Sequence, residues 1–323
     1  MPAHPDDVGL VTFGESMLRL SPPDYQRLET TDTLDVHVAG AESNVAVAAN
    51  RMGLSSLWTS KLPDSPLGRR VTNALHESGI ETEVVWTEEG RQGVYYVEPG
   101  PAPRGTDVIY DRDDASVRTV TTEELPVDLV RSADAFYTSG ITPALSETLR
   151  ETTVELLAEA SDDDTTTVFD VNYRSKLWSP DEARRGIEPF FEHLDVFVVA
   201  ERDAEIVFDA TGSAEDAARH FATEHGISTV IVTRGEDGSL AVHEGDTFES
   251  PAYETETVDA VGSGDAFVGG FLAEYIRGAD VGSCLEFGNA TAALKRTVPG
   301  DMAFVTRDEV TRLVESDTSS IDR

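Results

Sequence analysis

The chain has 323 residues, 39% of them hydrophobic, enough for one large core. It carries 25 Lys and Arg against 61 Asp and Glu, a formal charge of −36, which argues against nucleic acid or an anionic membrane surface as a partner because phosphates would be repelled. No apolar run reaches the ~18 residues of a membrane helix, and the single cysteine, Cys284, excludes an internal disulfide and a thiolate metal site.

Residues 1–7 lack the basic and apolar regions of a signal peptide, so a cytoplasmic location is expected. Residues 8–13 form a short apolar run ending at Gly14-Glu15, the pattern of a buried first strand. Residues 16–38, with Pro22-Pro23, read as a strand-and-loop excursion. The small apolar stretch 44–52 reads as a helix stopped by Gly53, and 67–78 as another closed by Gly79. Two aromatic strands, 93–97 and 107–112, flank the Pro/Gly-rich 99–105; this hairpin stands apart from the regular alternation and could cover something.

From about residue 120 the rhythm is strand, helix, strand. Strands fall at 135–139, 166–171, 195–199 and 228–233, and helices at 146–160, 180–193, 203–208 and 214–225. This alternation predicts parallel βαβ units with helices on both faces of the sheet. Two long helices follow, 264–277 and 281–297, with Cys284 on the second as a small residue of a buried face. Asp162-Asp163-Asp164 lies in a turn and reads as a solvated loop rather than a metal site. The seven histidines form no H-x-x-x-H pair.

Residues 259–267 read D-A-V-G-S-G-D-A-F. A phosphate-binding P-loop would need a lysine after the second glycine, and none follows. A dinucleotide fingerprint would need a glycine where Phe267 stands, and would open the first βαβ unit rather than follow the last. Gly262 and Gly264 instead bare backbone N–H groups at the start of a helix, an arrangement suited to a phosphate. Asp265 then sits in the first turn, either to take a proton from an attacking hydroxyl or merely to stabilise the helix N-terminus.

The stretch resembles the D-[ST]-x-G-A-G-D signature of the ribokinase-like (PfkB) sugar kinases, with Ala260 and Ser263 as the departures. That family's N-terminal glycine pair and nearby asparagine are echoed in Ala39-Gly40-Ala41-Glu42-Ser43-Asn44. The resemblance implies an α/β fold: a three-layer α/β/α sandwich with a mostly parallel sheet. It would be one domain over residues 1–323, with a small β-lid from about 15–38 and 92–118. It further implies Asp265 as catalytic base, Gly262, Ser263 and Gly264 as the anion hole, and ATP with Mg2+ as cofactors.

Gly14-Glu15-Ser16-Met17, S-G-I-T-P-A-L-S and F-D-V-N-Y-R-S-K-L-W-S resemble the 2-keto-3-deoxygluconate kinases in particular. By that resemblance the substrate contacts are Gly40, Asn44, Tyr95, Tyr110, Arg112, Ile141 and Arg174, with Asp301 touching hydroxyls. Tyr110 and Arg112 alternate, so both face one side of their strand. A sugar acid suits arginines, which bind a carboxylate bidentately; Arg174 could instead pair with a surface acid, and a neutral sugar such as fructose or ribose is the alternative substrate. On the nucleotide side the resemblance places Arg234, Gly235 and Gly238 beside the phosphates and Asn289 near the adenine. Where many relatives carry N-x-x-E to organise Mg2+, this chain reads Ala200-Glu201-Arg202-Asp203, so no metal ligand is assigned. An exposed lid edge invites pairing between two copies. The acidity itself reads as adaptation to a salty cytosol: at molar salt the Debye length falls to about 3 Å, which screens surface self-repulsion. Anionic ligands must then be held by local arginines and backbone N–H groups.

Overall fold

The computed structural model describes residues 8–101 and 103–319; residues 1–7, on which the signal-peptide expectation rests, lie outside it. The strands are β1 (Leu10–Phe13), β2 (Met17–Ser21), β3 (Asp35–Ala39), β4 (Ser56–Pro63), β5 (Glu81–Thr87), β6 (Val94–Glu98), β7 (Asp107–Asp111), β8 (Ala135–Ser139), β9 (Thr166–Asp170), β10 (Val196–Ala200), β11 (Thr229–Thr233), β12 (Ser239–His243) and β13 (Asp246–Ser250). The helices are α1 (Ala41–Arg51), α2 (Pro66–Glu77), α3 (Val127–Ser132), α4 (Ile141–Ala144), α5 (Glu147–Asp162), α6 (Pro180–Ile187), α7 (Glu201–Phe208), α8 (Ala214–His225), α9 (Ser263–Tyr275), α10 (Val281–Arg296) and α11 (Arg307–Ser319).

A nine-stranded sheet runs in the order β13-β12-β11-β10-β9-β8-β1-β4-β5. Strands β11 through β5 pair in parallel, and β12 and β13 close one end as an antiparallel hairpin. The central strands are apolar almost throughout because both faces are covered. Alternation along β10 shows it: Phe197 and Val199 join one core cluster, with side chains of α5, α6, α7 and α8. Val196 and Val198 join the other, with α1, α9, α10 and α11. The result is a three-layer α/β/α sandwich.

Local signals explain most boundaries. Ser179 and Ser213 each start a helix through a reciprocal capping box, with Glu182 and Asp216 respectively. The helix expected over 180–193 stops at Ile187 and continues as a tight 3-10 segment, Glu188–His193, because Pro189 has no N–H to donate. Strands β4, β5, β12 and β13 extend the sheet beyond the sequence-based expectation. β4 is fully buried although it contains Lys61, whose ammonium reaches Glu124 at 2.8 Å. Cys284 is buried on α10 as expected. Among the described residues no cluster around Asp162–Asp164 or elsewhere could hold a metal, and no helix is long and apolar enough to cross a membrane.

A second sheet of four strands, in the order β3-β2-β6-β7, draws on both segments read as a separate excursion and hairpin. Tyr95 and Tyr110 face each other across its β6–β7 pair, with ring centroids 5.9 Å apart.

Candidate active site

The seam between α1 and α9 builds the site. Gly269 lets the helices approach until an added Cβ would lie 2.5 Å from the Ala48 Cβ. One turn earlier on each helix, Asn44 and Asp265 therefore meet, the Asn44 Nδ2 donating to Asp265 Oδ2 at 2.7 Å. Two contacts in the same order along both helices mean that the helices run parallel here, bringing both N-termini to one place. Gly262 caps α9 with φ +78, a conformation open to glycine, and an added Cβ there would strike the Asp301 carbonyl.

Asp265 lines a cavity of about 480 Å3 beyond the carboxyl ends of β9, β10 and β11, marked by Asp170, Ala200 and Thr233. Gly40, Asn44, Tyr95, Tyr110, Ile141, Arg174, Asp301, Gly262, Ser263 and Gly264 line it too. Strands β6 and β7 of the small sheet thus form part of its wall. A second cavity of about 570 Å3 lies alongside, lined by Arg234, Gly235, Gly238, Ser263, Gly264 and Asn289, and also by Tyr253 and Arg296. Both volumes suit small ligands.

Enclosure decides the protonation of the acids. Burial pushes the Asp265 carboxyl up to about 6, while the Asn44 hydrogen bond and the Arg174 charge pull the other way. Burial, and then the neighbouring charge of Asp265, push Asp170 up to about 7. Against Gly14 and the end of β8, Glu42 is buried and accepts hydrogen bonds at one oxygen from Ser139 N, Ser139 Oγ and Thr142 Oγ1; burial still lifts it to about 7.

Several expected contacts are already occupied. Arg112 is absent from both cavity linings: it is buried against Glu15 in an ion pair, its guanidinium 5.4 Å from the Tyr110 ring centroid. Asp301 reaches the first cavity, but Arg19 Nη1 binds its Oδ2 at 2.8 Å and the Tyr95 hydroxyl donates to its Oδ1 at 3.1 Å. Asn289 spends its amide N–H groups on Ser239 Oγ, Ser250 O and Pro251 O. Arg234 is paired with Glu249 at 2.6 Å. Arg174 appears in none of the ion pairs among the described residues; its Nη1 donates to the Tyr173 carbonyl at 3.2 Å, and its side chain lines the first cavity.

Four contributors were not legible as site residues. Arg19 clamps Asp301 and lies 3.4 Å from Asp259. Lys295, fully buried, donates to the Asp259 carbonyl at 3.0 Å. Asp259, the first residue of the quoted stretch, accepts from the N–H groups of Val261 and Gly300 and so shapes the loop. Asp170 is the second residue of the quoted F-D-V-N-Y-R run, the one signal that could have found it.

A family model, pfkB family carbohydrate kinase, matches residues 9–307. A 2-dehydro-3-deoxygalactonokinase from Haloferax volcanii is 59% identical over 97% of this chain and 99% of its own length. The crystal structure of a 2-dehydro-3-deoxygluconokinase from Thermotoga maritima superposes with a TM-score of 0.89 at 33% identity, covering 95% of this chain and 99% of that one. An E. coli ribokinase II in complex with ATP and Mg2+ shares the fold, with a TM-score of 0.87 at 20% identity over 96% and 99% of the two chains. With the family model matched over residues 9–307 and a relative 59% identical over nearly the whole chain, the chain belongs to the pfkB family of carbohydrate kinases.

Proposed function

We propose that the protein transfers the γ-phosphoryl group of ATP to the terminal hydroxyl of a 2-keto-3-deoxy sugar acid, derived from gluconate or from its galactonate epimer. The observation that carries this reading is the half-buried Asp265 carboxylate lining the smaller cavity, one oxygen bonded to Asn44 and Arg174 in the same wall, directly after Ser263 and Gly264, which line both cavities. The name of the 59%-identical relative favours the galactonate-derived acid.

In this reading the sugar acid fills the smaller cavity, its carboxylate on Arg174, and ATP fills the other. Asp265 takes the hydroxyl proton as the oxygen forms its bond to the γ-phosphorus and the bond to the β-phosphate oxygen breaks. The N–H groups of Gly262, Ser263 and Gly264 meet the developing charge at the N-terminus of α9. Gly40, Tyr95, Tyr110 and Ile141 shape the sugar side, and the small sheet acts as a lid that keeps water out. Its edge strands, β3 and β7, offer backbone groups for pairing with a second copy.

Among the described residues none makes a protein-ligated metal site: the position of the asparagine is Ala200, and the Asp203 carboxylate is engaged by Arg202. Mg2+ would arrive with the nucleotide on charge grounds, and no step above passes through it. The test is ADP release at molar KCl with both sugar acids, fructose and ribose. Turnover concentrated on the two acids supports the reading; faster turnover of a neutral sugar overturns it.

A further inference from the structure

The two cavities share five lining residues: Ala200, Arg202, Thr233, Ser263 and Gly264. If one cavity holds the acceptor and the other the nucleotide, the group in transfer must cross this common wall. Ser263 and Gly264 bring the helix N-terminus to it. Of the five, Arg202 alone has a charged side chain. The other cavity arginines divide cleanly: Arg174 lines only the acceptor side, Arg234 and Arg296 only the nucleotide side.

We infer that Arg202 is a further catalytic residue, a guanidinium that stabilises the phosphoryl group between donor and acceptor. The inference rests on the kinase reading above and deepens it. Three observations support it. First, phosphoryl transfer spreads charge over three equatorial oxygens, and a positioned arginine is a strong stabiliser of that charge. Second, the guanidinium is held on one edge only: Nε and Nη2 bind Asp203 Oδ1 at 3.1 and 3.0 Å, while Nη1 has no partner among the described residues. Its side chain is 72% exposed and the anchoring Asp203 only 4%, so a buried acid fixes the fork while its free edge stays open to a ligand. Third, the rest of the shared wall offers only neutral groups, Ala200, Thr233, Ser263 and Gly264, while the chain's charge of −36 opposes two anionic substrates. A local cation at the crossing point answers both.

The experiment compares wild type, Arg202→Ala and Arg202→Lys. For Arg202→Ala a loss of roughly 10²-fold in kcat is expected, as for removal of one preorganised donor, with KM for both substrates nearly unchanged. Calorimetric binding of ADP with aluminium fluoride and the sugar acid, which imitates the group in transfer, should weaken by a similar factor while binding of ADP alone is kept. Lysine should restore only part of the loss. Equal weakening of ADP and of the aluminium fluoride complex, or no change in either, overturns the role. Failure of wild type itself to turn over or bind any sugar acid would instead defeat the underlying substrate reading, so the two failures are distinct.

Discussion

Asn44 and Asp265 lie 221 positions apart in the chain and meet at 2.7 Å, and neither side chain owes its position to its own neighbours in sequence. The meeting depends on Ala48 and Gly269, one turn along each helix, which are small enough to let α1 and α9 close. Small residues in the seam thereby set the chemistry at its end.

That pair has a pH signature. With its carboxyl raised to about 6, Asp265 is protonated below that pH and cannot accept a proton, so kcat/KM should fall on the acid side of about pH 6. The Asn44 hydrogen bond holds the value down, so Asn44→Leu should move the acid limb to higher pH. A pH–rate profile checks this, and a limb that stays put or moves lower refutes it. Asp265→Asn should cost roughly 10²–10⁴-fold in turnover with binding largely kept.

The two glycines of the loop should separate stability from activity. Gly262→Ala forces a side chain into φ +78 and onto the Asp301 carbonyl, so a loss of about 1–3 kcal/mol or more is expected in urea unfolding. At Gly264 an added Cβ meets nothing within 4 Å, and the position is helical. Gly264→Ala should therefore keep or slightly raise stability, by up to about 1 kcal/mol, while its methyl group in the shared wall lowers kcat. Equal thermal losses in both variants would contradict the distinction.

Arg19 should prove to be a stability residue. Its side chain is 8% exposed and that of Asp301 2%, so Arg19→Met leaves a buried carboxylate without its cation. The expected cost is about 3–5 kcal/mol, read from the denaturation midpoint. A cost below ~1 kcal/mol would mean that Tyr95 and water suffice for Asp301.

Arg174→Ala tests recognition of the acid. Loss of a charged hydrogen-bond donor of about 1.5–3 kcal/mol should raise KM for the sugar acid roughly 10- to 100-fold and leave KM for ATP almost unchanged. Parallel rises in both would remove the carboxylate role.

The charge of −36 predicts a salt requirement. Raising KCl from about 0.1 M to molar shortens the Debye length from about 10 Å to about 3 Å, so the thermal midpoint should climb over that range. A midpoint independent of salt would show that the carboxylates are already compensated.

What the sequence determined by itself is whatever depends on near neighbours. Gly262 with Gly264, the Ser179 and Ser213 caps and the apolar strand runs state their conformations locally, because dihedral freedom, capping and alternation act within a few residues. The parallel βαβ alternation and a glycine loop opening a helix were legible on those grounds; the three-layer sandwich and the role expected of Asp265 came from the resemblance. The partner of a charge is decided by packing between distant segments. Arg112 looked available for a ligand and is paired with Glu15; Arg202, quoted in the sequence without a role, lines both cavities. Asp259 has no visible role until Arg19, Lys295 and Gly300 close on it. Only the tertiary structure settles such contests, since a buried ion takes whichever opposite charge the fold delivers within hydrogen-bond reach, and sequence distance says nothing about that delivery.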